Sequence, residues 1–285
     1  MQIRVGLIGA DIQQSKSPAL HMSEGAAQGL EYRYEIIDLT RRGSGPEALP
    51  DLLAEAEARG FAGVNITHPC KQRVIPLLDD LSADARALGA VNTVVFSAGQ
   101  RIGHNTDWSG FYNSFRLGLP DVPLGSVLQL GAGGAGVAVG YAALRLGVGR
   151  LMIRDTDPER AAALALALNT RAGRAFAEAV EDVPEAMRAA CGLIQTTPVG
   201  MVAHPGLPLD AGLIETRHWV ADIVYFPLET ALLAAARAKG CRVLPGGGMA
   251  VFQAAGAFRL FTGYEPDSAR MLAHFAELSR MGERA

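Results

Sequence analysis

Two patterns of apolar and polar residues alternate along the first part of the chain. Apolar runs bounded by glycine or polar turn residues predict strands, and apolar residues spaced three or four apart predict helices. Strands are predicted at residues 3–10, 32–39 and 61–67. Helices are predicted at 46–60, 70–78 and 82–89, and another helix is predicted to begin at residue 18. Two further strands, 90–97 and 101–107, are predicted to form a hairpin. Ser17 is predicted to cap the first helix, because Pro18 suits the first helical position.

From about residue 108 the alternation becomes more regular. After a helix at 108–117, strands are predicted at 125–132, 150–155, 192–197, 219–225 and 241–245. Helices are predicted between them at 134–146, 158–170 and 228–240, and two more helical segments lie between 249 and 281. Such alternation predicts a parallel sheet with helices on both faces. We therefore predict an α/β protein of two domains, residues 1–107 and 108–248, the second being a Rossmann-type doubly wound parallel sheet.

The composition excludes several classes of protein. The chain of 285 residues has 26 basic and 29 acidic residues, which gives no electrostatic basis for binding nucleic acid. An uncharged run between Asp121 and Arg145 contains six glycines, so a strand, turn and helix explain it better than a membrane span. The short apolar N-terminus is not a signal peptide, which predicts a cytoplasmic protein with free thiols. The histidines show no metal-ligand spacing, so no metal is expected.

A glycine-rich turn follows the predicted strand at 125–132. Gly131, Gly133 and Gly136 match the G-x-G-x-x-G pattern, and a predicted helix begins within it. In that context the glycines allow a tight turn, close approach of the backbone to a pyrophosphate, and close packing of helix on strand. The free N–H groups and the dipole at the helix N-terminus favour the same anion. The segment therefore predicts a dinucleotide site.

The residues after the second strand of this unit bear on the choice between NAD and NADP. Asp155 can accept hydrogen bonds from both ribose hydroxyls of NAD and would repel a 2′-phosphate. Asp157 adds a second negative charge, whereas Arg154 and Arg160 could each reach a phosphate. Because we weigh the two carboxylates above the two arginines, we predict NAD as the cofactor, with weaker use of NADP possible.

Polar residues are collected in the first domain where a core would have apolar ones. They are Ser15 and Ser17 at the start of a helix, Asn65 and Thr67 on one face of a strand, and Lys71, Asn92 and Asp107. Their hydroxyl, amide, ammonium and carboxylate groups suit a polyhydroxylated substrate, and the serines suit its carboxylate. Taken singly, each has an ordinary structural explanation as a cap, a turn residue or a solvated lysine.

Taken together, these segments resemble the shikimate dehydrogenase family, including its quinate/shikimate branch. The resemblance covers essentially the whole chain. It is carried by SKSPALH (15–21), GVNITHPCK (63–71), GAVNTV (89–94), GHNTDWSGF (103–111), LGAGGAG (130–136), TTPVGM (196–201), DIVYFPLET (222–230) and GGGMAVFQAA (246–255).

The resemblance implies a role for each matching residue. Lys71 and Asp107 would be the catalytic pair of a substrate-binding domain, on which helices in 249–285 pack back. The expected substrate contacts are Ser15 and Ser17, for the carboxylate, and Asn65, Thr67, Asn92, Tyr225 and Gln253. The residues expected around the cofactor are Gly131, Ala132, Gly133, Gly134, Ala135, Gly136, Asp155, Asp157 and Arg160, with Thr196, Met201 and Gly248 towards the nicotinamide.

Departures from the biosynthetic members of the family point to its quinate/shikimate branch. Asp155-Thr156-Asp157 stands where NADP-using members usually carry Asn-Arg-Thr, and His68 also resembles that branch. Ser17 is serine where some quinate users have threonine, so shikimate should be accepted too. The resemblance thus implies an oxidoreductase that moves hydride between NAD(H) and a ring hydroxyl of shikimate or quinate, with 3-dehydroshikimate or 3-dehydroquinate as the keto form. We expect a monomer or homodimer.

Several alternatives stay open. An aminoshikimate dehydrogenase would keep every one of these motifs, and only its substrates would distinguish it. An NADP-dependent biosynthetic shikimate dehydrogenase would share most of them. A folate-linked methylene dehydrogenase/cyclohydrolase also pairs a lysine-bearing domain with a Rossmann domain, but Ser15, Ser17 and the HNTD segment argue against it. A non-catalytic NAD-sensing module would have no need of Lys71 and Asp107.

Overall fold

The computed structural model describes residues 2–282, which fall into two compact units. Among the described residues, the first unit contains residues 2–109 together with Val251–Leu278, and the second contains Gly110–Ala250 and residues 279–282. We predicted divisions after residues 107 and 248. Residues 1 and 283–285, which belong to the predicted domains, lie outside the described residues. In the described part, no helix has the length and apolarity needed to cross a bilayer.

Strands and helices alternate along both units. The strands are β1 (Gln2–Gly9), β2 (Glu31–Asp38), β3 (Gly63–Ile66), β4 (Asp80–Leu81), β5 (Thr93–Ser97), β6 (Gln100–His104), β7 (Ser126–Leu130), β8 (Arg150–Arg154), β9 (Ala177–Ala179), β10 (Gly192–Gln195), β11 (Trp219–Asp222) and β12 (Arg242–Leu244). The α-helices are α1 (Ser17–Ala27), α2 (Leu39–Arg42), α3 (Leu49–Ala58), α4 (Ala83–Leu88), α5 (Asp107–Gly118), α6 (Gly134–Leu146), α7 (Pro158–Ala172), α8 (Val183–Ala189), α9 (Ala231–Ala238), α10 (Gly247–Thr262) and α11 (Ser268–Gly282).

The first unit is built on a mixed six-stranded sheet in the order β2-β1-β3-β5-β6-β4. Strand β1 pairs in parallel with β2 and β3, whereas β5 pairs antiparallel with both β3 and β6, which confirms the predicted hairpin. Among the described residues, two separate apolar clusters contribute to its core. One includes Leu52 and Leu53 of α3, and the other includes Phe258 and Phe261 of α10. The sheet is therefore covered by helices from both ends of the chain.

The start of α1 differs from the prediction. Ser17 is the first residue of the helix, and the N-cap position falls on Lys16, whose side chain makes no capping bond. The N–H of Ser17 instead donates to Oγ of Ser15 over 3.3 Å. The helix begins one residue early because the N–H of Leu20 donates to the carbonyl of Lys16 over 3.1 Å, and Pro18, which has no N–H, is tolerated in the first turn. The prediction of Ser17 as N-cap was therefore wrong.

The segment after β3 also differs from the prediction. Residues 70–78 were predicted as a helix, but they form turns and a short 3-10 helix at Ile75–Leu77. Pro76 lies in the middle of the segment and cannot donate the backbone hydrogen bond that a longer α-helix requires. In addition, β3 ends at Ile66, so Thr67 follows the strand rather than alternating within it.

The second unit is a fully parallel six-stranded sheet in the order β12-β11-β10-β7-β8-β9. Numbered from β7, this is the 3-2-1-4-5-6 order of a dinucleotide-binding fold, and it confirms the predicted doubly wound sheet. The chain reverses its direction of winding between β7 and β10. Ligands bind such sheets beyond the carboxyl ends of the strands at that point.

Most predicted elements of the second unit are present with shorter strands. Helix α6 spans the predicted residues, 134–146. Strand β9 and helix α8 were not predicted, because a three-residue strand and a helix of seven residues carry too little periodicity to be distinguished from a loop.

Candidate active site

Lys71 and Asp107 are in direct contact in the first unit. Nζ of Lys71 donates a hydrogen bond to Oδ2 of Asp107 over 2.7 Å. The side chains are 24% and 10% exposed, so the ion pair is largely shielded from water while the lysine stays reachable by a ligand. The β5–β6 hairpin connects the two residues, because Asp107 follows β6 and the N–H of Val91 donates to the carbonyl of Lys71. The structure thus brings the two predicted catalytic residues together.

Asn92 and Asn65 extend this contact into a buried network. Nδ2 of Asn92 donates to Oδ1 of Asp107 and to Oγ1 of Thr106, each over 2.9 Å. Its Oδ1 accepts from the N–H of Thr106 over 2.8 Å, which fixes the orientation of the amide. Nδ2 of Asn65 donates to Oγ1 of Thr93 over 3.0 Å and to the carbonyl of Asn92 over 3.2 Å. Both carboxylate oxygens of Asp107 are therefore held by side-chain donors.

Tyr34 connects the amide network with the start of α1. Its hydroxyl donates to Oδ1 of Asn65 over 2.9 Å and also forms a hydrogen bond with the side chain of Ser17. Burial raises the pKa of Tyr34, so the hydroxyl keeps its proton and remains a donor. The predicted carboxylate-binding serine and the predicted catalytic pair consequently belong to one hydrogen-bonded system.

The other predicted substrate residues are connected less closely. Oε1 of Gln253 lies 3.5 Å from Nδ2 of Asn92, at the limit of a hydrogen bond. Ser15 supports the backbone of Ser17. No hydrogen bond of the Thr67 hydroxyl is formed among the described residues. Cys70 is fully buried, and burial raises the pKa of its thiol, which disfavours a nucleophilic thiolate beside Lys71.

In the second unit, the glycine turn lies between β7 and α6. Gly131 has a φ of +100°, and a Cβ added there would lie 2.6 Å from Oγ1 of Thr196. A Cβ on Gly136 would overlap the carbonyl oxygen of Gly131. Gly133 and Gly134 are exposed, and a Cβ on either would meet no atom within 4 Å. The inner glycines thus permit close packing, whereas the outer ones leave an open surface that a ligand can approach.

Asp155 follows β8 and is tied to the same turn. Its Oδ2 accepts from the N–H of Ala132 over 2.6 Å, and its Oδ1 accepts from the N–H of Asp157 over 2.9 Å. Although burial acts to raise the pKa of Asp155, these bonds and the charge of Arg160 outweigh it and lower the pKa. The carboxylate is therefore ionised at neutral pH. Oδ1 also accepts from the hydroxyl of Thr156 over 3.4 Å, so Oδ2 is the oxygen that retains a lone pair for another donor.

Asp157 and Arg160 are occupied in supporting α7. Oδ1 of Asp157 accepts from the N–H of Glu159 over 3.0 Å, so Asp157 is the N-cap of that helix. Nε of Arg160 lies 3.2 Å from Oδ2 of Asp157, and both side chains are exposed. The structure therefore places both residues beside Asp155 but gives each of them a local partner.

Thr196 lies beneath the glycine turn rather than on its open side. It is only 7% exposed, and Oγ1 lies 2.7 Å from the carbonyl oxygen of Leu130 and 3.0 Å from that of Gly131. Its hydroxyl is thus used to hold the end of β7. On the neighbouring loop, Met201 is 42% exposed and has a side chain available for contact.

Asp222 stabilises the loop after β11, which carries Tyr225. Oδ1 of Asp222 accepts from the N–H of Val224 over 3.0 Å, and Oδ2 accepts from the hydroxyl of Thr230 over 2.7 Å. Burial raises the pKa of Asp222 to about 6. Tyr225 is 42% exposed at the surface of this loop.

Gly248 is explained by packing within the second unit. A Cβ at this position, near the start of α10, would overlap the hydroxyl of Ser114 in α5. The glycine therefore allows two helices to approach closely, whether or not a ligand is also near.

Comparison with known proteins identifies the family. Residues 7–94 match the family model described as the shikimate dehydrogenase substrate binding domain. A shikimate dehydrogenase (NADP(+)) from Streptomyces avermitilis is 58% identical over 96% of this chain and 95% of its own length. This chain belongs to the shikimate dehydrogenase family. The recognition made from the sequence is confirmed.

Other members of the shikimate dehydrogenase family are named for a different cofactor. A quinate/shikimate dehydrogenase (NAD(+)) from Corynebacterium efficiens is 51% identical and covers 97% of this chain and 98% of its own. The structure of quinate dehydrogenase from Corynebacterium glutamicum in complex with NAD has a TM-score of 0.92 at 48% identity, covering 97% and 99% of the two chains. The predicted two-domain α/β fold is thus that of the family.

Asp38 supports the site but was not predicted from the sequence. Its carboxylate accepts from the N–H groups of Asp11 and Ile12, each over 3.2 Å, and from Nε2 of Gln13 over 2.8 Å. It therefore fixes the loop that leads to Ser15. An acidic residue at the buried end of a strand was the only available signal, and it is indistinguishable from an ordinary turn residue. Tyr34 gave no signal at all, because aromatic residues are common in strands.

Proposed function

We propose that this protein is a dehydrogenase that transfers hydride between NAD(H) and a ring hydroxyl of shikimate or quinate. The observation that carries the proposal is the 2.7 Å contact of Lys71 with Asp107, with Asn92 on the other carboxylate oxygen. A secondary alcohol loses hydride readily only when its hydroxyl proton leaves as well. A lysine held in one place by a carboxylate meets that need.

Lys71, with its amine neutral at the moment of transfer, is proposed to accept the proton from the substrate hydroxyl oxygen during oxidation and to return it to that oxygen during reduction. Asp107 holds the lysine in position and orients the substrate. Bound NAD supplies the hydride acceptor, and its reduced form the donor. A positioned base of this kind typically contributes about 10²- to 10⁴-fold to the rate.

The remaining polar residues of the first unit are proposed to select a polyhydroxylated carboxylate. Ser15 and Ser17 would bind the carboxylate, and Asn65, Thr67, Asn92 and Gln253 the ring hydroxyls. Tyr225, on the loop after β11, is proposed as a further substrate-binding residue. The buried amide network supports this assignment, because a site built to pair hydroxyl groups rejects analogues that lack them.

NAD fits the second unit, and its pyrophosphate would lie on the open side of Gly133 and Gly134. The N–H groups at the start of α6 would receive it, since the first intrahelical bond is that of Val137. Asp155 would accept from a ribose hydroxyl with the remaining lone pair of Oδ2. Asp157, Arg160, Thr196, Met201 and Gly248 are proposed as surrounding residues, of which Thr196 acts by supporting the turn.

The two units are proposed to divide these tasks. Residues 1–107 with the C-terminal helices would be the substrate-binding domain, and residues 108–248 the NAD-binding domain. A cytoplasmic location is also proposed, supported by three cysteines that are free thiols in the structure. A monomer or a homodimer would both suit this arrangement.

A matrix of steady-state assays tests the proposal. NAD and NADP are each combined with shikimate and quinate, and the reduced cofactors with the two keto acids. We expect activity with NAD and at least one of the two hydroxy acids. Higher kcat/KM with NADP, which the name of the Streptomyces relative makes the main alternative, would overturn the choice of cofactor. An amino-substituted shikimate is assayed in the same way, and a preference for it would overturn the choice of substrate.

Replacement of Lys71 tests the catalytic assignment. Lys71→Ala should reduce kcat by about 10²-fold or more and change KM much less. Arg73→Ala is the matched control, since Arg73 is an exposed cation two positions later and should be dispensable. The reverse pattern, a raised KM with normal kcat, would make Lys71 a binding residue only.

A further inference from the structure

Gln129 is a buried amide in β7, directly below the glycine turn. The side chain has no solvent exposure. Its Nε2 donates to the carbonyl oxygens of Gly131 and Gly136, each over 2.9 Å. These two carbonyls lie at the two ends of the glycine motif. One side chain therefore ties the first residue of the glycine motif to the first turn of α6.

The other end of the same amide is unpaired. Oε1 of Gln129 is a buried acceptor with no hydrogen-bond partner among the described residues. It faces the backbone of α6, where a Cβ added to Gly140 would lie 3.5 Å away. Leaving a buried acceptor unpaired is unfavourable, and leucine at this position would avoid that cost. The amide is therefore not explained by the stability of the core alone.

The orientation of the turn explains why a donor is useful at this position. For the N–H groups of the turn to face a ligand, neighbouring carbonyl groups must point into the protein. Gly131 has a left-handed backbone, and its carbonyl oxygen lies so close to Gly136 that a side chain there would overlap it. Gln129 supplies a donor to this inward oxygen, and Thr196 supplies a second one. Together they hold the carbonyls inward and leave the opposite surface to the cofactor.

We propose that Gln129 is a positioning residue for the cofactor, and that its amide group holds the glycine turn in the conformation that binds the pyrophosphate of NAD(H). The inference rests on the proposed NAD site. It assigns a share of the affinity for the cofactor to a fully buried residue. The reason is that a preformed turn does not have to be ordered when the cofactor binds.

The test compares two isosteric variants with a control from the same strand. Gln129→Leu and Gln129→Met keep the side-chain volume and remove the donor, along with the unpaired acceptor. Val127→Ala is the control, because Val127 lies two residues earlier on the same face of β7, is equally buried, and has no polar atoms. For each protein, NADH affinity is measured by fluorescence titration, and the KM for shikimate and the thermal unfolding temperature are measured in parallel.

We expect the two Gln129 variants to bind NADH about tenfold more weakly, with the KM for shikimate within about twofold of wild type and little change in unfolding temperature. Val127→Ala should unfold at a lower temperature and keep its NADH affinity. Gln129→Glu adds a second readout: its carboxylate repels both carbonyls, and protonation restores one donor, so NADH binding should strengthen as the pH is lowered.

Two results would overturn the inference. One is wild-type NADH affinity in both Gln129→Leu and Gln129→Met. The other is an equal loss of affinity in Val127→Ala, which would show that any disturbance of β7 has this effect. A wild-type protein that binds no NADH would instead overturn the proposed function, and the inference with it.

Discussion

Replacement of Asp107 by asparagine separates the charge of the catalytic pair from its shape. In the wild type, Oδ2 of Asp107 accepts from Lys71 and Oδ1 accepts from Asn92. Asparagine has only one oxygen, so in either orientation its amide nitrogen faces a donor. If the oxygen stays on Lys71, the contact with Asn92 is lost, and a flipped amide loses the contact with Lys71. Asp107→Asn therefore cannot reproduce the network.

The expected loss follows from the nature of the broken contact. A hydrogen bond to a charged group contributes about 1.5–3 kcal/mol, and the pair is shielded enough for this range to apply. If that energy is used in the transition state, kcat/KM for shikimate should fall by about 10- to 150-fold. Most of the loss should be in kcat, because the position of the base affects the chemical step.

The assay is steady-state reduction of NAD with shikimate as the variable substrate. Asp51→Asn, which removes an exposed carboxylate at the start of α3, is the matched control and should behave as wild type. The same substitution is repeated in the Lys71→Ala background, where its effect should shrink because the partner is missing. An undiminished effect there, or a kcat within about twofold of wild type in the single variant, would refute the coupling of Asp107 to Lys71.

Three further substitutions test the support of the site. Tyr34→Phe removes the donor to Asn65 and should raise the KM for shikimate by about 2- to 13-fold, with a smaller change in kcat. Asp222→Asn tests the raised pKa of about 6. The folded chain binds the proton of Asp222 more tightly than the unfolded chain does. The contribution of this group to the free energy of unfolding is therefore complete below the ordinary pKa of 3.8 and is lost as the pH rises through about 6. In urea unfolding, the free energy of unfolding of the wild type should fall by about 3 kcal/mol over that range because of this group. The variant should lack this part of the pH dependence. Arg270→Ala leaves the buried carboxylate of Glu24 without its cation and should lower the free energy of unfolding by about 1.5–3 kcal/mol. An unchanged urea midpoint in that variant would count against the ion pair as an anchor of α11.

The second unit was easier to predict than the first for a physical reason. Its strands and helices alternate with regular periods, and parallel pairing between neighbouring strands follows from the connections. In the first unit, β4 is two residues long, and Pro76 converts a predicted helix into turns. Such details depend on single residues and on packing from distant parts of the chain. The sequence pattern contains no measure of either.

The candidate site shows the same limit. The contact between Lys71 and Asp107 could be anticipated only through the family resemblance, since spacing alone does not place residues so far apart in sequence within hydrogen-bond distance. Tyr34, Asp38 and Gln129 were missed because each acts through a backbone group or another side chain. A buried amide two residues before a glycine turn is nevertheless a recognisable signal, since an apolar strand seldom buries a polar side chain that has no partner to bind.

Overall sequence identity and the charges beside the ribose point to different cofactors. The relative at 58% identity is named for NADP, and the one at 51% for NAD. Identity counts every position equally, whereas a 2′-phosphate is read by the few residues beside the ribose. There the chain has Asp155, whose lowered pKa keeps it ionised. At about 4 Å, two like charges repel by about 4 kcal/mol at an effective dielectric constant of 20, which corresponds to nearly a thousandfold in affinity. Arg160 cannot offset this freely, because it is already paired with Asp157. The local charge therefore outweighs a difference of a few per cent in identity, and NAD is the expected cofactor.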